Sequence, residues 1–202
     1  GIGRLRVDTK APTARVSLLP AYMNSTRFNV SWNGSDPEPG SGLDPVTAFD
    51  VQYKDRESSP WTDWQVGTNR MAMEFTGQQG KTYYFQARSR DAAGNLGSYS
   101  MGSGDTRTLV DVTAPTGTVT DDGEVSGNNT RLHATFTFND FESDVIRFEY
   151  WIGTLPGGND TYAPYLTDHA DVTVGGLFLK NGTRYFFSVR ALNRANLWSQ
   201  TM

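Results

Sequence analysis

Cysteine is absent from this chain of 202 residues. That excludes disulfides, thiol catalysis and thiolate metal sites. Histidine is nearly absent too: His133 and His169 stand alone, outside any His-x-x-x-His, nucleophile elbow or phosphate-loop motif. Catalysis therefore has no visible machinery, and a transition metal lacks its usual ligands. Basic charge is in deficit, with 18 Lys plus Arg against 22 Asp plus Glu and a net charge of -4, so nucleic acid is not an expected partner. No apolar run approaches the roughly 18 residues of a membrane helix, and no Arg-Gly-Asp triplet is present. The chain opens on Gly1-Ile2-Gly3, without initiator Met or signal peptide, as expected of a mature or excised segment.

What is present is β-forming. Aromatics make up 12% of residues, Thr and Val are frequent, 21 Gly punctuate the chain, and no sustained helical periodicity occurs. Two phrases are written twice. Val7-Asp8-Thr9-Lys10-Ala11-Pro12-Thr13 returns as Val110-Asp111-Val112-Thr113-Ala114-Pro115-Thr116, and Gly80-Lys81-Thr82-Tyr83-Tyr84-Phe85 returns as Gly182-Thr183-Arg184-Tyr185-Phe186-Phe187. A repeat of about a hundred residues is a whole domain. The reading is an all-β chain of two tandem β-sandwiches, 8–110 and 111–202, preceded by a short segment 1–7.

In the first repeat, alternation predicts strands near 14–22, 27–34, 47–55, 61–67, 71–76, 81–90 and 103–110. Phe49, Val51 and Tyr53 share one face, as do Tyr83, Phe85, Ala87 and Ser89; the opposite faces are expected to be wet. The second repeat follows with Phe148, Tyr150 and Ile152, then Tyr185, Phe187, Val189 and Ala191. These positions resemble fibronectin type III domains, within the wider immunoglobulin-like class. The resemblance rests on a second-strand aromatic (Trp32, Phe136), a third-strand aromatic (Phe49, Phe148) and Thr-x-Tyr-x-Phe-x-Val-x-Ala-x-Asn over 183–193. It implies a corner hydrogen bond from Tyr83 and Tyr185 to the preceding loop. Gly77 stands where that family has a corner Leu, as Leu179 does in the second repeat, so the first corner is expected to differ. Asp-Pro-Glu-Pro-Gly-Ser-Gly-Leu (36–43), the stretch 150–160 and Asp-Ala-Ala-Gly-Asn (91–95) look like repeats of prokaryotic, archaeal-type surface and secreted proteins. The resemblance implies fold and leaves activity open.

The two ends are unequal. Residues 104–110 supply a last strand to the first repeat, whereas the second stops at Met202 without one. Conversely, Gly1-Ile2-Gly3-Arg4-Leu5-Arg6-Val7 aligns with Gly104 to Val110 and reads as a last strand without a domain. A sandwich lacking that strand exposes unpaired backbone groups. The segment 1–7, with Ile2, Leu5 and Val7 as its apolar residues, is expected to fill that gap in another copy, giving a head-to-tail homopolymer. The alternative is a spacer or adhesion module excised from a longer array.

Three sets of candidate residues remain. Six Asn-x-Ser/Thr sequons occur, at Asn24, Asn29, Asn33, Asn128, Asn159 and Asn181, where chance predicts roughly two or three. They point to N-linked glycans and to an extracellular or cell-surface location. Carboxylates gather after the second strand of each repeat, Asp36, Glu38 and Asp44 and then Asp140, Glu142 and Asp144. Calcium is the one cofactor their hard oxygens suit. Trp151, Phe186 and Trp198 are expected on an outer contact face, and Trp61 with Trp64 invites a carbohydrate reading because sugars stack on aromatic rings.

Overall fold

The computed structural model describes residues 6–45 and 47–202. Ile2 and Leu5 of the expected assembly strand lie outside the described residues; Val7 lies within them and is 77% exposed. The chain separates into two compact units, one ending at Asp111 and the other beginning at Val112. Every regular element among the described residues is a strand.

In the first unit, β1 (Thr13–Val16), β2 (Tyr22–Met23), β3 (Arg27–Ser35), β4 (Phe49–Lys54), β5 (Thr62–Thr68), β6 (Ala72–Thr76), β7 (Thr82–Ser89) and β8 (Thr106–Val110) form two sheets. Their orders are β1-β3-β6 and β2-β8-β7-β4-β5. The single strand expected over 14–22 is divided: β1 pairs antiparallel with β3, and β2 pairs parallel with β8 in the opposite sheet. Pro20, between them, has no N–H for a ladder, so the chain changes sheets there.

Period-2 alternation places Phe28, Val30 and Trp32 of β3 against Phe49 and Val51 of β4 and Tyr83, Phe85 and Ala87 of β7. Phe75 sits among Tyr53, Trp64, Tyr83 and Phe85 with ring centroids 4.9 to 5.3 Å away, mostly edge-on, the geometry that aromatic quadrupoles favour. The outer face of β7 is drier than alternation predicts, for Tyr84 and Gln86 are buried as well. Lys54 covers Tyr84, its Nζ lying 5.2 Å from that ring and 4.7 Å from Trp61. Gln86 donates to Gln52 Oε1 at 2.8 Å. Long side chains of neighbouring strands thus dry a central strand on its solvent side.

The second unit contains β9 (Thr116–Asp121), β10 (Arg131–Asn139), β11 (Val145–Gly153), β12 (Tyr162–Thr167), β13 (Asp171–Gly175) and β14 (Phe186–Asn193). They assemble as β13-β10-β9 and β12-β11-β14. Phe136, Phe148, Tyr150, Ile152, Val189 and Ala191 fill its core. Among the described residues of this unit no strand corresponds to β8. In the first unit β8 pairs with β7 from Thr82 to Phe85. In the second, the returning chain bridges Leu192 to Trp198 and exchanges hydrogen bonds between Met202 and Val189 at 2.9 and 3.1 Å. Beyond Val189 no described residue pairs with that edge of β14. The packing registers the loss: Tyr83 and Phe85 are buried, whereas their counterparts Tyr185 and Phe187 are only half-buried.

Candidate functional site

The open edge of β14 is the first feature with functional content. Its backbone turns unpaired N–H and C=O groups outward beside half-buried Tyr185 and Phe187, the combination that invites strand addition. Both tyrosine corners form nonetheless. Gln78 N–H donates to Tyr83 Oη at 3.0 Å, and Lys180 N–H donates to Tyr185 Oη at 2.9 Å. The first corner, expected to differ because of Gly77, therefore keeps the same bond and differs only in what packs beside it.

A second feature lies in the first unit, where three distant segments bring Asp8, Asp36 and Asp91 together. One carboxylate oxygen from each lies within 4.8 Å of the other two. Lys10 N–H at 3.0 Å and Ser41 N–H at 2.7 Å donate to Asp8. The first of these bonds, then those from Ser41, hold the Asp8 carboxyl below the ordinary Asp range. Asp36 Oδ2 accepts from Gly42 N–H at 2.7 Å. Asp91 is 0% exposed and accepts from Asn95 N–H and Asn95 Nδ2, both at 2.8 Å.

This grouping keeps one carboxylate of the expected set and replaces two. Glu38 is exposed and reaches Arg6 at 3.8 Å, while Asp44 Oδ1 accepts from Thr47 N–H at 2.9 Å. Asp8 and Asp91 were missed because they lie far from Asp36 in sequence; their signal was the Asp-x-x-Ala-Pro and Asp-Ala-Ala-Gly-Asn phrases. In the second unit, Asp140 Oδ1 accepts from Glu142 N–H and Ser143 N–H, and its Oδ2 accepts from Asn193 Nδ2 at 3.0 Å. Glu142 accepts from the Thr113 hydroxyl at 3.4 Å. Asp144, with a left-handed φ of 57°, lies 3.6 Å from Arg194.

The sequons occupy accessible positions. Asn29 and Asn33 point outward from β3, opposite Glu74 and Arg15, and Asn24, Asn159 and Asn181 are exposed in connections. Asn128 is half-buried, and its Oδ1 accepts from Thr130 N–H, the Thr130 hydroxyl and Arg131 N–H.

The aromatic candidates largely cover their own sheet. Trp151 Nε1 donates to Gly157 O at 3.0 Å, Phe186 is half-buried opposite Gly153, and the Arg190 guanidinium lies 4.6 Å from the Trp198 ring. Arg190 also pairs with Glu149 at 2.6 Å. The first unit repeats the device, with Arg88 between Asp50 at 2.9 Å and the Tyr99 ring at 4.6 Å. Trp61 and Trp64 do not share a platform. Three residues apart along extended chain, they face opposite ways: Trp61 lies under Lys54, and Trp64 packs against Trp32 and Phe75. Trp64 also helps line an open cleft of about 660 Å³ with Tyr53, Phe75, Tyr83 and the Asp55–Lys81 pair. Phe141 and Phe178, 97% and 96% exposed, escaped notice because alternation assigns no face in loops.

No protein-family model matches the chain. Among solved structures, domains A168–A170 of titin superpose with a TM-score of 0.55 at 18% identity, covering 95% of this chain and 64% of that one. The fibronectin(III)-like modules of Clostridium thermocellum CbhA give 0.47 at 16% identity, covering 94% and 90%. The FN1–FN3 domains of chicken CNTN1 give 0.49 at 15%, covering 100% and 69%. Identities at this level speak to fold alone. The chain is a pair of all-β sandwiches, and the likeness to the titin domains is one of fold.

Proposed function

We propose that this chain is a structural subunit of an extracellular, N-glycosylated filament or surface array, built head-to-tail by addition of residues 1–7 of one copy to the open edge of β14 in the next. The observation that carries the reading is that edge, with Tyr185 and Phe187 half-buried where Tyr83 and Phe85 of the complete sandwich are closed over. In the first unit, Thr106, Thr108 and Val110 of β8 turn inward. In the aligned segment 1–7 the apolar residues Ile2, Leu5 and Val7 are the ones offered to that edge, and in such an addition backbone bonds supply affinity while alternate side chains set register. A contact between unlike ends that does not close on itself grows as a fibre. Glycans on the exposed sequons fit a surface location, and the loop phrases resembling prokaryotic surface repeats fit that setting.

A second reading is a spacer or adhesion module, carbohydrate-binding or otherwise, within a longer surface protein. The path of the last residues favours it, because Met202 already runs antiparallel to β14 beside Val189, and a chain continuing from there covers Phe187 and Tyr185 in cis. Light scattering and negative-stain micrographs of the full chain, with and without residues 1–7, separate the two. Concentration-dependent fibres that vanish on deletion support the polymer. A chain that stays monomeric at high concentration overturns it in favour of the module.

A further inference from the structure

We propose that Asp8, Asp36 and Asp91 form a divalent-cation site in the first sandwich, with calcium as its ion. Three carboxylates converge there, and none of them forms an ion pair with Lys, Arg or His among the described residues. Asp91 is completely buried, and its carboxylate accepts from Asn95, a neutral residue. Buried charge of one sign is held in proteins by an opposite charge or a metal. An independent observation comes from Asp36, whose Oδ1 is shut off from solvent and has no hydrogen-bond partner. A cation at this point would compensate an anionic oxygen that has neither water nor a donor.

The second unit shows an amide at the position that Asp91 occupies in the first. Asn193 stands where the first unit has Asp91, and its Nδ2 donates to Asp140 Oδ2 and to Thr113 O, both at 3.0 Å. Asp140 and Thr113 are the counterparts of Asp36 and Lys10. There an amide supplies the donor; in the first unit a carboxylate faces a carboxylate, and Asn95 Nδ2 is spent on Asp91, Asp8 O and Lys10 O. That one difference of side chain replaces a donor to the Asp36 position with a further acceptor.

Oxygen donors alone select a hard cation over zinc or copper. Separations up to 4.8 Å match two ligands at about 2.4 Å on opposite sides of calcium, and carboxylates drawn from three separate connections suit its irregular shell better than the strict octahedron of magnesium.

The test is thermal unfolding and calorimetric titration of the full chain, freed of metal, in EDTA, MgCl₂ or CaCl₂. At about 10 mM calcium, roughly tenfold above a Kd of about 1 mM common for extracellular modules, the transition of the first unit should rise by about 6 °C. Magnesium should give less. Asp36→Asn should lose most of that rise while melting in EDTA at or above the wild-type temperature, because it removes like-charge repulsion. A purely structural Asp36 would instead lower melting equally with and without calcium, and that result overturns the proposal. If Asp36→Asn does not fold, Asp91→Asn, which installs the amide found at Asn193, serves the same comparison. Absence of calcium heat and of any wild-type shift overturns the site, as does a shift that survives both substitutions.

Discussion

Gly77 leaves vacant the space that Val110 fills. A Cβ added to Gly77 would stand 2.9 Å from Val110 Cγ2 and 2.8 Å from Tyr83 Cε2, and Val110 is fully buried at the end of β8. In the second unit the matching position is Leu179, half-buried against a core to which no described strand corresponding to β8 contributes. The two sandwiches thus close one corner by opposite means, a strand residue in the first and a loop residue in the second.

Gly77→Ala should therefore destabilise the first unit by about 1–3 kcal/mol through overpacking. Leu179→Ala should destabilise the second by about 2 kcal/mol through lost burial. Urea unfolding followed by tryptophan fluorescence reports on both, since Trp32, Trp61 and Trp64 lie in the first unit and Trp151 and Trp198 in the second. Unchanged midpoints for Gly77→Ala would mean that Tyr83 and Val110 give way easily.

Asp105 ties the two sheets of the first unit. Its Oδ2 accepts from Val16 N–H of β1 and Ala87 N–H of β7, each at 2.9 Å, while the Ser100 hydroxyl donates to Oδ1. Asp105→Ala strands two backbone donors and should cost about 2 kcal/mol or more; Asp105→Asn keeps one acceptor oxygen and should cost less. Amide hydrogen exchange at Val16 and Ala87 checks the assignment, because both protons should lose protection in the Ala variant.

The two corner tyrosines should respond unequally to loss of their hydroxyls. Tyr83→Phe leaves Gln78 N–H without its acceptor in a partly buried setting, at a cost of about 1 kcal/mol. Tyr185→Phe affects an exposed bond, which water replaces at a smaller cost. Equal losses in parallel denaturation curves would contradict this ranking.

His133 lies between Asp122 at 2.7 Å and Asp171 at 3.2 Å. The hydrogen bond to Asp122, then that to Asp171, raises its pKa above the ordinary His value of 6.5. A folded pKa above the unfolded one means that its stabilisation is full below about pH 6.5 and is lost as pH rises through the folded value. The second unit should consequently melt higher at pH 5.5 than at pH 8 by an increment that His133→Gln removes. An imidazole that titrates by NMR at or below 6.5 would refute the paired geometry.

Reading along the chain reached the alternating cores and the tandem repeat, because each is written in local periodicity or in a direct echo. It did not reach the sheet switch at Pro20 or the dry outer face of β7, where the long side chains of other strands decide burial. Trp61 and Trp64 illustrate the same limit: their spacing was legible, but what each ring meets was not.

For this protein, then, composition and repetition alone determined an all-β pair of sandwiches, since strand patterning and repeat length are properties of neighbouring residues. Tertiary structure alone decided which carboxylates meet, because Asp8, Asp36 and Asp91 come from separate connections that approach only when the sheets have packed. It also decided that Asp36 is left with an unanswered oxygen while Asp140 is not. A hydrogen bond depends on distance and direction in space, and linear order carries neither.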